Sequence, residues 1–250
     1  SKSFSSSQLN TADRETVMKS ILDACIFPLI RQRPFNKVAN PTDVPRDIFI
    51  SAYNTAPLSV NVSKIIQNNK DEFQVGLTAL SKLTEGSVYL TSQKPMEFDN
   101  ATNVTIAGPH PAGNVGIQIH HIKPINPGEV IWTVNAQHVI TIGKLFQNGY
   151  YDPGCVVSIG GSGSSNPQTV KALIGSSIES LLKDQLLNGS QRIVSGDVLT
   201  GKRVSSDDYL GFYDSSVAII KDDVKRPFLG MLAVGSSSTK YSLTNTFLSP

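Results

Sequence analysis

The densest group of side chains able to hold an anion is Arg31-Gln32-Arg33-Pro34-Phe35-Asn36-Lys37. A guanidinium presents two parallel N–H donors to a carboxylate or phosphate. Arg31, Arg33 and Lys37, with Phe35 beside them, are therefore candidates for an anion or quinone-headgroup site, or for a subunit contact. The plainer reading of the same run is a solvated turn anchored by Phe35. A second candidate is the polar loop Gly160-Gly161-Ser162-Gly163-Ser164-Ser165, which follows a strand-like segment and could cradle an anion with backbone N–H groups. It lacks the Lys-Ser/Thr pair of a nucleoside-triphosphate loop and the immediate helix of a dinucleotide fingerprint, so it reads better as a connecting loop. The histidines form no ligand set. His120 and His121 are adjacent, and on a strand they would face opposite sides; His110 and His138 stand apart from them. No metal site is expected, and all four read as surface or turn residues. No serine sits in a nucleophile elbow, so no catalytic residue is assigned.

Chain-wide properties narrow the classes. A length of 250 residues suits one large or two modest domains. A formal charge of +2 is too small for a chain-wide nucleic-acid footprint, and no apolar run reaches the roughly 20 residues that span a bilayer. The cysteines, Cys25 and Cys155, are too few for a disulfide scaffold, and both lie in apolar stretches that read as core. The opening Ser1–Ser7 reads as a flexible lead-in. With no starting Met, and an end at Pro250 just after a strand-like pattern, the chain reads as a piece of a longer protein.

The elements that would position these groups follow from periodicity. Asn10 or Thr11 could cap a helix whose apolar stripe is Val17, Met18, Ile21, Leu22, Cys25 and Ile26, ended by Pro28. Residues 47–52 read as a buried strand, 62–83 as a helix broken near Asn68-Asn69-Lys70, and 87–91 and 103–107 as strands. Strand, helix and strand with short links make a parallel crossover unit. Such sheets bind ligands at the carboxyl ends of their strands, here the turns at Ala52–Thr55 and Gly108–His110. Residues 115–122 alternate weakly. Residues 130–134 read as a strand, 136–147 as a helix closed by Asn148-Gly149, and 154–159 as a strand completing a second crossover. Beyond lie a capping-box sequence at Ser176–Glu179, a short helix ended by Asn188-Gly189, and short strands at 192–195 and 216–220. The expectation is an α/β domain over 1–152 and a small α+β module over 153–222. On the residues alone, an unrelated enzyme using His110 or the Gly160 loop stays open.

A series of segments carries a more specific signal. Arg31–Val38, Asp47–Ala52, Gly76–Thr84, His110–Gly113, Gly116–His120, Val130–Gln137 and Val194–Gly201 occur in the same order as in NqrA, a component of the bacterial Na+-translocating NADH:quinone oxidoreductase (Na+-NQR). The chain resembles NqrA over nearly its whole length. The resemblance implies a Rossmann-like parallel-sheet domain related to the flavin subunit of respiratory complex I, then a β-grasp (soluble-ligand-binding) module. It also implies that 223–250 starts a returning C-terminal, barrel-sandwich segment.

The same resemblance implies a peripheral component at the cytoplasmic face of the bacterial inner membrane, docked on the membrane-embedded component NqrB, within a complex that uses NADH, flavins, iron–sulfur and ubiquinone. Three departures from the complex I relative stand out. Arg31–Val38 occupies the place of its glycine-rich flavin loop, and glycine is what lets backbone approach a phosphate or flavin closely. Its iron–sulfur cysteines are absent. Asn135 falls where that relative has a flavin-contacting Asn, but Ala136-Gln137 follow in place of acidic and hydroxyl residues. The expectation is a scaffold with no cofactor of its own and a role near the quinone site, contributed by Arg31, Arg33, Phe35, Lys37, His110 and Asn135. The alternative is a domain that binds quinone or flavin directly at the carboxyl edge of its sheet.

Overall fold

A computed structural model describes residues 3–222; the segment expected to begin a returning C-terminal portion, 223–250, lies outside the described residues. The first sheet is built from β1 (Ile30–Arg33), β2 (Lys37–Val38), β3 (Asp47–Ser51), β4 (Val88–Ser92), β5 (Thr102–Thr105) and β6 (Ile131–Asn135). Its helices are α1 (Ser6–Thr11), α2 (Arg14–Asp23), α3 (Val62–Asn68), α4 (Lys70–Ser81), α5 (Val115–Ile122) and α6 (Ala136–Asn148). Strand order is β2-β1-β6-β3-β4-β5. The strands β6, β3, β4 and β5 are parallel, and β1 and β2 add antiparallel to the β6 side. From β3 the chain steps outward through β4 and β5, then returns through α5 to β6 on the other side of β3. The carboxyl ends of β3 and β6 thus flank a topological switch point, where open parallel sheets leave a crevice.

Alternation along the strands sorts the layers. Ile48, Ile50, Trp132 and Val134 face the main core, which includes Phe73, Leu77 and Leu80 of α4 and Val139, Ile142 and Phe146 of α6. Phe49 and Ile131 face the other way, against Ile119 of α5. On the first layer, α4 and α6 meet at two glycines. A Cβ on Gly143 would stand 1.7 Å from the Glu72 carbonyl oxygen, and one on Gly76 would stand 2.1 Å from that of Val139. Only hydrogen fits at either point.

At the amino edge the fully buried Asp47 accepts from Arg46 Nε (2.7 Å), Lys123 Nζ (3.0 Å) and the Ser87 amide (3.1 Å). Arg46 also donates to the carbonyls of Lys123 (2.8 Å) and Pro124 (2.9 Å) and pairs with Glu129. This cluster ties the α5–β6 link to the root of β3. Burial pushes the Asp47 carboxyl up, but Lys123, the Ser87 amide and Arg46 outweigh it, and the net direction is down.

A second sheet follows, from β7 (Gly154–Gly160), β8 (Gln168–Leu173), β9 (Gln191–Ser195), β10 (Lys202–Val204) and β11 (Ser216–Lys221), ordered β10-β9-β11-β7-β8, with α7 (Ile178–Leu181) packed on it. Val157, Ile159, Ile178, Leu210, Val217 and Ile219 form its core.

Several expectations are corrected. The segment 154–159 does not complete a crossover in the first sheet: β7 pairs with β8 and β11 and opens the second sheet. The basic run 31–38 is a β-hairpin on the sheet edge, not a bare turn. The stretch 115–122 is a helix, with His120 and His121 exposed in its last turn. From residue 3 onward the lead-in is ordered, with the Phe4 amide donating to the Phe146 carbonyl (2.7 Å) and Leu9 buried. The cap of α2 is Asp13, which accepts from the Thr16 amide (2.9 Å), because 6–11 forms its own helix first. That helix ends at Asp23, before Pro28; Cys25 then adopts φ 57° and turns to solvent, so it is no core residue, and Leu22 is also exposed. The cap of α7 is Ser177 rather than Ser176, and the helix ends at Leu181, well before Asn188-Gly189.

Two outcomes follow from these contacts. Gly143→Ala should lower unfolding free energy by about 3 kcal/mol in urea titrations, because a close-packed backbone contact cannot absorb a methyl group. Asp47→Asn should cost about 2 kcal/mol at neutral pH by replacing charge-assisted hydrogen bonds with weaker neutral ones. The folded carboxyl titrates below its unfolded value, so the Asp47 contribution is present above about pH 4 and lost as pH falls. Urea midpoints of Asp47→Asn and the parent should therefore converge in acid.

Candidate functional site

The switch point opens into a crevice of about 640 Å³. Its floor is the carboxyl ends of β3 and β6, at Ser51 and Asn135. One wall is β1 with Arg31, Arg33 and Asn36; another is the start of α5 at Asn114–Ile117; a third comes from the second sheet through Asp197, Thr200 and Tyr213.

Cross-strand register explains the arginine wall. Arg31 and Arg33 lie opposite Thr133 and Ile131, and directly opposed residues share a face. Ile131 packs on α5, so both arginines project on the α5 side of the sheet. Gln32 points the other way, is buried, and accepts from the Asn40 amide (3.3 Å). The Arg31 guanidinium stacks 4.2 Å from the Tyr213 ring centroid and donates to the Asn36 carbonyl. Arg33 Nη1 lies 3.6 Å from where a Cβ on Gly116 would stand. Burial, then the nearby Arg31, push the Arg33 pKa down.

A buried polar network fixes the crevice floor. Gln118 of α5 donates from Nε2 to Ser51 Oγ (3.0 Å) and the Ala112 carbonyl (3.1 Å), and its Oε1 accepts from Thr91 Oγ1 (2.6 Å). One side chain thereby joins the ends of β3 and β4 to the loop leading into α5. Asn135 caps α6 by accepting from the Gln137 amide (2.9 Å). Gln137 then bonds the backbone of Val156 on β7 twice, donating to its carbonyl (3.0 Å) and accepting from its amide (2.7 Å).

Of the sequence-derived candidates, the crevice gathers Arg31, Arg33 and Asn135. His110 stands at the rim, its Nδ1 3.1 Å from Thr55 Oγ1. Phe35 and Lys37 do not enter; Phe35 is 83% exposed at the hairpin tip, so it does not anchor the turn. The Gly160 loop is likewise not part of the crevice: Gly161 has φ +123° and packs on the Ile219 backbone within the second sheet.

Sequence reasoning missed His138. It is not a surface histidine: it is 7% exposed, in the first turn of α6, between the Leu29 carbonyl and the rings of Phe212 and Tyr213. Burial pushes its pKa down to about 4, against a hydrogen bond to Leu29. Its place inside the apolar face of Val139, Ile142 and Phe146 is the signal that marks it as interior. Among the described residues no group of His, Cys, Asp and Glu could hold a metal ion, and no helix is long and apolar enough to cross a membrane.

Two family models match the chain: the NqrA second alpha/beta domain over residues 12–151 and the NQRA C-terminal domain, an SLBB domain, over 156–206. NqrA of the Na(+)-translocating NADH-quinone reductase of Pasteurella multocida is 35% identical over 251 residues, covering 98% of this chain and 56% of that protein. The chain belongs to the NqrA family. The NqrA proteins of Vibrio alginolyticus, 35% identical over 98% of the chain, and Shewanella amazonensis, 36% identical over 98%, agree. The chain spans about half the length of these curated relatives, 56% and 55% respectively. Among solved structures, an NAD+-reducing [NiFe]-hydrogenase in the air-oxidized state aligns with TM-score 0.56 at 12% identity, covering 86% of this chain and 50% of that one. The same enzyme in the H2-reduced state gives 0.54 at 10%, covering 88% and 51%. At such identities the likeness is one of fold.

His138 yields a pH dependence with a fixed sign. Its folded pKa lies below the unfolded value of about 6.5, so the unfolded state takes up the proton first. Stability should fall as pH drops from about 6.5 toward 4. His138→Gln, which keeps a donor for the Leu29 carbonyl, should flatten that part of the profile in urea titrations at stepped pH.

Proposed function

We propose that the chain acts within a Na+-pumping NADH:ubiquinone reductase as the central part of its NqrA component, with an assembly role and no redox group of its own. The observation that carries the reading is the family match across 98% of the chain. The domains would be a Rossmann-like unit over 1–152 and a β-grasp unit over 153–222. The parallel sheet with a switch point and the SLBB match support that division. NADH, flavins and iron–sulfur would belong to other parts of the complex.

The chain would lie at the cytoplasmic face of the bacterial inner membrane and dock on the membrane-embedded NqrB near the site of ubiquinone. The hairpin tip supplies a contact of suitable chemistry: Phe35 is 83% exposed, with Lys37 and Val38 exposed beside it. An exposed aromatic side chain is a typical interface anchor. The second reading, direct binding of quinone in the crevice, is favoured by its volume of about 640 Å³, within the range that holds small ligands.

The paired substitution Phe35→Ser and Lys37→Glu should reduce co-purification with NqrB at least about tenfold, as loss of a central aromatic contact does, while leaving the melting temperature of the isolated protein unchanged. Undiminished co-purification would remove the hairpin from the interface.

A further inference from the structure

The arginine wall holds more positive charge than its surroundings answer. Among the described residues neither Arg31 nor Arg33 forms an ion pair. The Nε of each is out of contact with solvent and without a hydrogen-bond partner. The partners Arg31 does have, a carbonyl and the Tyr213 ring, are neutral. Asp197 is the carboxylate of the crevice lining; it accepts from the Leu199 amide (2.7 Å), the Thr200 amide (2.9 Å) and Thr200 Oγ1 (2.7 Å), which keep it ionised, so one carboxylate stands against two guanidiniums.

The helix that Arg33 meets makes the imbalance sharper. Its guanidinium abuts the first turn of α5 at Gly116. Asn114 stands at the N-cap position of α5 without a side-chain cap; its carbonyl accepts from the amides of Ile117 (2.9 Å) and Gln118 (3.2 Å), which leaves those of Val115 and Gly116 as the leading donors. A helix N-terminus carries partial positive charge. Two guanidiniums and a helix N-terminus without a side-chain cap converge on one crevice whose lining holds a single carboxylate, an arrangement that favours a bound anion.

We propose that this crevice binds a phosphomonoester, with the phosphate held by Arg31, Arg33 and the leading amides of α5. Three sets of donors from different directions suit a tetrahedral dianion better than a planar carboxylate. The volume of about 640 Å³ far exceeds that of a phosphate, so the ligand carries an organic body. Tyr53, Val115 and Ile117 offer it aromatic and apolar surface, and Tyr213 brings a wall from the second sheet. The site does not depend on the place of the chain in the larger complex, and its test uses the isolated protein.

The probes are adenosine 5′-monophosphate, inorganic phosphate and adenosine, titrated calorimetrically at fixed ionic strength. The nucleotide should bind saturably and compete with inorganic phosphate, and adenosine should bind at least about tenfold more weakly than the nucleotide, as the loss of charge-assisted hydrogen bonds requires. Equal affinity for phosphate and nucleotide would assign the site to free phosphate and overturn the organic body. Arg33→Gln should weaken nucleotide binding at least about tenfold, with circular dichroism unchanged. A second measurement needs no variant: the nucleotide should protect Arg33 of the parent protein from an arginine-specific dicarbonyl reagent, read by peptide mass spectrometry. Absence of saturable binding up to about 10 mM, equal binding of adenosine, or modification of Arg33 unaltered by the nucleotide would overturn the proposal.

Discussion

The crevice depends on the near-contact of α4 and α6 through Gly76 and Gly143. With only hydrogen between them, the two helices lie backbone to backbone over one face of the sheet. That closeness sets how near α6 lies to α4 across the sheet, and with it the lateral position of its first turn. Asn135, Gln137 and His138 all belong to that turn or its cap, so the cap, the clamp on β7 and the buried imidazole take their places from one packing constraint. On the opposite face, Gln118 does the equivalent work for α5, joining it to the ends of β3 and β4. The two faces are fixed independently, and the crevice is the space they leave between them.

Two charge clusters of the first sheet differ in how they are answered. At the amino edge, Asp47 is buried and fully answered by Arg46, Lys123 and an amide. In the crevice, the half-buried side chains of Arg31 and Arg33 have no ion-pair partner, and Arg31 meets only a carbonyl and the Tyr213 ring. The first is the pattern of a structural ion cluster, in which every buried charge has a partner. The second leaves an excess of one sign at the place where parallel sheets receive ligands. The difference between the clusters is of partners, not of burial alone.

Much of the first sheet was legible in the sequence because its strands are short apolar runs bounded by turn residues. The segments 47–51, 88–92 and 131–135 lie within a residue or two of expectation, and the helix break at Asn69 and the left-handed Gly149 were marked by their residue types. What failed is what local pattern cannot carry. Residues 154–160 look like any buried strand, and only pairing tells which sheet they join. The helix at 115–122 is short, with apolar residues on both sides, so a period of two competes with one of 3.6. Arg31, Arg33 and Asn135 were singled out by charge and by family resemblance, and they do meet in the crevice. Lys37 and Phe35 share that run but fall past the strand, at the tip and return of the hairpin, where side chains turn outward. His138 was hidden because a lone histidine within an apolar helical face carries no motif.

The two sheets are not merely neighbours. Gln137 grips the backbone of Val156, Ser158 Oγ donates to the Leu58 carbonyl (2.5 Å), and the Tyr213 hydroxyl donates to the Pro28 carbonyl (2.9 Å) while its ring lies under Arg31. The crevice runs along this seam, so its outline is shared property of both halves. Any tilt of one half against the other redraws the cavity, and any occupant braces the joint like a wedge in a hinge.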